Sequence, residues 1–449
     1  MIEGVRIRSF KCLKDIEIEL KPLTILIGPN GSGKSSILYA IYWFYLKSLH
    51  NPSLTYLCIP LEKSELNIES YSDLALGREL EKDWMEVVLK FNIPKEEIKH
   101  LLDGINWDVF GIEKPDLRNF EYGFGIKFNP NKKELDYKIY INLDDLKFEI
   151  EQVYNKLKDL NELFLRSSMK IGGKYEIVLD GRFSYALLDS IYLHSRLKNV
   201  AENKEKDELR KIDKLLIKIF ELIRNYFENR FFFVKSIRGS IPLESSAKTE
   251  EFVDSGENVL NVLAQIYASA DLDVREKLGG LMSKWADEFG LHKLVAGLEK
   301  DKVKARYKDI GKLDLALSSY GQRQLMTFLA QLIASPKGSF IMIEEPEISL
   351  HPEAQMKLPI LFGEVIKKHK KRIIITTHSS IIPLALSDAI IEGLLRVDDV
   401  AIYHIERDEK GYSKRTKIEL TEEGYPEGGI PSFAKVEAEL YRKMMERLE

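Results

Sequence analysis

Residues 23–35 read "LTILIGPNGSGKS", a nearly all-apolar run, a turn with three glycines and then a helix-forming stretch from about Ser35 to Leu46. Few folds accept that order. A short apolar run without alternation suits a strand covered on both faces, as in the parallel sheet of an α/β protein. The octapeptide "GPNGSGKS" fits G-x-x-x-x-G-K-[ST] at every position and sits after a strand and before a helix, where that motif must sit. Its glycines let the backbone wrap a phosphate with N–H groups pointing inward. Gly28, Asn30, Gly31, Ser32, Gly33, Lys34, Ser35 and Ser36 are therefore candidate ATP-binding residues. Lys34 would reach the β- and γ-phosphates, and the Ser35 hydroxyl would bind Mg²⁺.

Three further stretches carry chemistry. "FIMIEEPE" (340–347) is an apolar strand ending in acids. Glu344 is the candidate Mg²⁺ residue and Glu345 the candidate general base, since a carboxylate beside a metal site can activate water. "IIITTHSS" (373–380) places His378 just past another apolar strand, 33 residues beyond Glu345, where an imidazole could donate to a γ-phosphate. "LALSSYGQRQL" (315–325) sets a serine and a glycine ahead of an apolar helical pattern. Helix N-termini favour anions, although a capped helix and nothing more would read the same way.

Together these motifs resemble the ABC-type ATPase superfamily, in its soluble branch of SMC, RecF and OLD-like ATPases. "FKCLKDIEIELKPLTILIGPNGSGKSS" is similar to the N-terminus of that branch, and "IEEPEISLHPEAQ" to its Walker B and D-loop. "SSYGQRQ" resembles the "SGGQRQ" signature, with Ser319, Gly321 and Gln322 at matching places and Tyr320 standing for the first glycine. The resemblance implies a Mg-dependent ATPase (ATP and water to ADP and phosphate). Two chains would close head to tail, each signature capping the ATP held by the other chain's P-loop. Its relatives act in DNA repair, in anti-phage defence or beside nucleases, so DNA and a separate nuclease or effector protein are the candidate partners. About 70 residues follow His378, too few for the Toprim nuclease domain of OLD nucleases, and none is expected. Glu344 stands where ABC transporters carry Asp. No clear Q-loop glutamine follows the P-loop; "SYSDLALG" (70–77), with Ser72 or Asp73, is the candidate for that place. The rival functions are an ATP-gated scaffold regulating a separate nuclease or toxin, and the ATPase subunit of a membrane transporter.

The expected fold is an α/β P-loop NTPase with an ABC/SMC-like head. Its mixed sheet is assembled from N- and C-terminal segments, with an antiparallel β subdomain and a largely helical insertion. We divide the chain into an N-terminal ATPase lobe (1–84), an inserted β and helical region (85–235), a connector (236–314) and a C-terminal ATPase lobe (315–449). Residues 4–20 alternate as a hairpin, and short alternating stretches recur from 85 to 180, broken by a helical pattern near 151–166. Residues 184–230 read as helix, and helical patterns resume from Glu257 to about Leu298. The closing segment "SFAKVEAELYRKMMERL" is amphipathic.

Composition excludes more than it suggests. With 67 Lys and Arg against 71 Asp and Glu the net charge is −4, so bulk charge gives no support to nucleic-acid binding. The Lys/Glu richness resembles that of thermophile proteins. No run reaches the roughly 18 apolar residues of a membrane span. Two cysteines, Cys12 and Cys58, argue against a disulfide framework, and the expected location is the cytoplasm. The basic run "KKHKKR" (367–372) and the residues Arg210, Lys211, Lys214 and Lys218 read first as helix-end complementation and a solvated face, and second as phosphate-backbone contacts.

Overall fold

The computed structural model describes residues 2–49, 83–93, 105–110, 118–129, 134–143, 146–152, 162–171, 175–184, 203–236, 238–246 and 256–446. The chain forms two compact units, one of Met1–Leu20, Ser35–Asn229 and Arg407–Lys414, the other of Lys21–Lys34, Arg230–Glu406 and Arg415–Glu449.

The first unit is built on an antiparallel sheet. Strands β1 (Ile2–Phe10) and β2 (Leu13–Glu19) form the hairpin expected from their alternation, with Ile7 opposite Ile16 and Phe10 opposite Leu13. Between β2 and the later strands of this unit lie β3 (Leu23–Ile27), which belongs to the second unit, and helix α1 (Lys34–Leu49). Strands β4 (Met85–Asn92), β5 (Asn119–Asn129), β6 (Glu134–Leu143), β7 (Leu146–Gln152), β8 (Glu162–Ile171) and β9 (Tyr175–Ser184) complete an eight-stranded sheet in the order β2-β1-β4-β5-β6-β7-β8-β9. Aromatic side chains join its apolar face to two helices. Trp43 and Phe44 of α1 lie 5.1 Å and 5.0 Å, centroid to centroid, from Phe124 and Tyr122. Phe227 of α2 (Asn203–Arg230) lies 6.1 Å from Phe44. On β4 the buried carboxylate of Glu86 is held between Arg8 at 3.1 Å and Lys138 at 2.7 Å.

The expected helix near 151–166 is corrected at both described ends, since Glu151–Gln152 close β7 and Glu162–Arg166 open β8. Val153, Leu157 and Leu160 are at helical spacing, but pairing of β7 with β8 takes Glu151 opposite Arg166 and overrides local preference there. Residues 153–161, and the proposed Q-loop stretch 70–77, lie outside the described residues.

The second unit is a parallel α/β core. To β3 it adds β10 (Phe231–Val234), β15 (Phe340–Glu344), β16 (Arg372–Thr377), β17 (Val400–Arg407) and β18 (Ser413–Ile418), in the order β10-β15-β16-β3-β17-β18. N- and C-terminal segments thus share one sheet, as the sequence leads one to expect. β3 is parallel to both neighbours and all five of its residues are buried. A smaller antiparallel sheet of β11 (Ser245–Ser246), β12 (His292–Glu299), β13 (Lys302–Lys308) and β14 (Lys312–Asp314) shares the core with α3 (Val259–Tyr267) and α4 (Leu272–Glu288). Here the helical reading to Leu298 is corrected. Gly290, with φ of +81°, ends α4, the Leu291 N–H turns back to Ala286 O, and the chain continues as β12.

Helices α5 (Tyr320–Ala334), α6 (Pro352–His369), α7 (Ile381–Leu384), α8 (Leu386–Ile391) and α9 (Pro431–Met445) complete the described α-helices. The basic run 367–372, which begins in the last turn of α6, is spent on structure. Lys371 is buried and donates to Leu332 O and Ile333 O at the end of α5, Lys368 pairs with Glu364, and Lys367 donates to Gly393 O. In the first unit Lys211 pairs with Glu208 at 2.7 Å, while Lys214 and Lys218 are exposed. Among the described residues no helix is long and apolar enough to cross a membrane.

Candidate nucleotide site

Parallel strands deliver their C-terminal ends to one edge, and in open α/β sheets ligands bind there. Ile27 is in register with Thr377, and Thr376 with Glu344. The glycine turn after β3, His378 after β16 and Glu345 after β15 therefore emerge side by side.

The turn has the backbone its glycines predict. Gly28, Gly31 and Gly33 have φ of +151°, +71° and +109°. A Cβ on Gly28 would stand 2.0 Å from Ile405 O of β17, so only glycine fits. Lys34 is buried and donates to Gly28 O at 2.8 Å and Pro29 O at 2.9 Å, folding its ammonium back over the turn. Burial pulls it down to about 8, against the pull of Glu345 and Glu347.

The acids after β15 differ in setting. Glu344 is buried and its Oε2 accepts from the Ser236 N–H at 3.4 Å. Glu345 has φ of +46°, a left-handed backbone unusual for a side-chain-bearing residue. Its Oε1 lies 3.6 Å from His378 Nε2. Burial, and then the Lys34 charge, hold the His378 imidazole below its usual range, so it is neutral at pH 7 and one ring nitrogen can donate. Lys34, Glu345 and His378 thus come together as the sequence suggests.

Ser319 caps α5. Its Oγ accepts from the Gln322 N–H at 3.3 Å and Gln322 Oε1 accepts from the Ser319 N–H at 3.1 Å, a capping box. Tyr320, in the place of a glycine, is simply the first residue of the helix and leaves it intact. Ser319 and Tyr320 are exposed, and Gly321 packs so tightly that a Cβ would stand 2.4 Å from Ser349 O in the loop after β15.

Two residues had no role in the sequence reading. Arg238, in a polar linker, is fully buried and donates to Lys235 O and Glu344 O at 2.8 Å, to Glu345 O at 3.1 Å and to Gln324 O of α5 at 3.2 Å. Glu347 accepts from the His378 N–H at 2.7 Å, and burial raises its carboxyl above the usual range. Glu347 stands in the quoted stretch "FIMIEEPE" and Arg238 near the start of the connector, but each is defined by backbone partners that no side-chain pattern reveals.

A P-loop at the end of the central parallel strand, with acids and a histidine beside it, defines an α/β P-loop ATPase fold. Residues 1–382 match the family model of the AAA ATPase domain, and the chain belongs to that family. It is similar to an OLD nuclease of Thermus scotoductus, 41% identical over 58 residues, which are 12% of this chain and 11% of that protein. It is also similar to an ATP/GTP phosphatase of Helicobacter pylori, 36% identical over 86 residues, 18% of this chain and 23% of the other. The chain thus matches less than a quarter of the length of either curated relative. Among solved structures it resembles an SMC head bound to the C-terminal winged-helix domain of ScpA. The TM-score is 0.46 and the identity 14%, over 93% of this chain and 98% of the other. The SMC head of Thermotoga maritima gives 0.36 and 12%, over 93% and 99%.

The residues present fit Mg-ATP. The turn offers inward backbone and an ammonium for phosphates. Among the described residues no cluster of three or more His, Cys, Asp or Glu side chains could hold a metal alone.

Proposed function

We propose that the protein binds Mg-ATP at Gly28–Ser36 and hydrolyses it between two copies of the chain. The observation that carries the reading is the placement of Glu345 within 3.6 Å of His378, on the sheet edge that holds the P-loop and Lys34. Lys34 exchanges its loop carbonyls for phosphate oxygens. Asn30, Gly31, Ser32 and Gly33 supply the cradle, and Ser36 follows in the first turn of α1. Ser35 and Glu344 would hold Mg²⁺, which supplies charge neutralisation on the phosphates when bound. Glu345 takes a proton from the attacking water. His378, neutral at pH 7, donates to the γ-phosphate. Ser319, Gly321 and Gln322 of a second copy cap that phosphate with the exposed N-terminus of α5. ATP then favours the closed pair because only the closed pair touches it from both sides. The similarity to a short part of an OLD nuclease supports a role beside DNA or a separate effector, in repair or anti-phage defence.

Glu345→Gln tests this. It keeps shape and removes the base, so ATP should bind and persist, and light scattering in saturating Mg-ATP should show a dimer. A monomer under those conditions would refute the head-to-tail arrangement.

A further inference from the structure

Glu347 is not needed for the chemistry just described, yet its contacts are specific. Its Oε1 receives the backbone N–H of His378 at 2.7 Å, at the residue that carries the imidazole. Its Oε2 is buried with no hydrogen-bond partner among the described residues. The loop after β15 is otherwise joined to β16 by the Glu345 N–H on Thr376 O at 2.9 Å, one residue short of the histidine loop. Beyond His378 the same loop is fixed by the Ser379 N–H on Thr377 Oγ1 at 2.9 Å and by Ser379 Oγ on Gln355 Oε1 at 2.6 Å. The carboxylate of Glu347 thus closes the gap between these anchors at the residue whose side chain must face Glu345. A charge-assisted bond to a backbone N–H is strong and short, and it fixes direction as well as distance.

We propose that Glu347 is the positioning residue for His378, holding the backbone of that residue so that the imidazole stays beside Glu345 and the γ-phosphate. The inference rests on the ATPase reading. Its assigned role is through the loop, by the bond to the His378 N–H. Misplacing a reacting group by about an ångström costs on the order of tenfold to a hundredfold in rate.

The test is a double-mutant cycle on steady-state turnover, with Mg-ATP affinity and thermal unfolding measured for each variant. Glu347→Ala should lower kcat on the order of tenfold or more while KM and ATP affinity stay within about threefold. Glu347→Gln, which keeps an oxygen acceptor for the N–H, should recover most of the rate. Glu347→Ala combined with His378→Ala should be no slower than His378→Ala alone, because the carboxylate acts only through that residue. If alanine does not fold, Glu347→Thr, a polar side chain too short to reach the amide, takes its place. Unchanged kcat in Glu347→Ala, additive losses in the double variant, or a glutamine variant as slow as alanine each overturn the inference alone. An unaltered protein without turnover overturns the ATPase reading and this inference with it, whereas His378→Ala at full rate overturns the role given to His378, and this inference, while the ATPase reading stands.

Discussion

Replacing Arg238 by methionine removes four charge-assisted hydrogen bonds and leaves their carbonyl acceptors, on Lys235, Gln324, Glu344 and Glu345, inside the protein. Hydrogen bonds from a charged group contribute about 1.5–3 kcal/mol each, and they do not add when they share one donor group. Against them stands the cost of keeping a guanidinium charged out of water. Burial pulls Arg238 down to about 10, even with Glu347, Glu344 and Glu345 opposing, which corresponds to roughly 3 kcal/mol. Methionine refills much of the space under Phe328, whose ring the guanidinium faces at 5.2 Å. The net loss should be about 3–5 kcal/mol, the range seen when one partner of a buried charged interaction is removed. For a unit of this size that lowers Tm by roughly 6 °C or more. Turnover should fall further than stability explains, since the backbone of Glu345 loses its tether. Thermal unfolding followed by far-UV dichroism is the assay. A variant within about 2 °C of the unaltered protein, with full turnover, would show that the four bonds only balance the desolvation and that Arg238 organises nothing.

Two further outcomes follow from the same geometry. Lys34→Ala removes the ammonium that folds over the P-loop turn and should weaken ATP binding on the order of 100-fold or more by calorimetry, with Tm in the absence of nucleotide nearly unchanged. Gly321→Ala drives a methyl into Ser349 O and should cost about 1–3 kcal/mol in thermal unfolding; a fully stable variant would mean that the helix N-terminus and that loop are not in register.

The parallel core was legible because its strands are apolar runs that cannot be anything but buried, as "LTILI", "SFIMI" and "RIIITT" are. The P-loop was legible because its geometry demands glycine at fixed places. β12 was not, since "HKLVAGLE" neither alternates nor runs apolar, and five of its residues are exposed; its partner β13 decides it. The strand ends around 151–166 were hidden by a local helical period that cross-strand pairing overrides. Arg238 and Glu347 were on the page as letters without a role. An arginine bound to four carbonyls, and a glutamate bound to one amide, have partners that every sequence possesses.

Glu345 sits in the left-handed region at φ +46°, where a side chain costs on the order of 1 kcal/mol and glycine costs nothing. The residue proposed to do the chemistry is thus one at which the fold would gain by its loss. Selection for heat resistance alone would push this position toward glycine and away from turnover. A lineage that keeps glutamate here is being held to it by what the protein does, against what its backbone prefers.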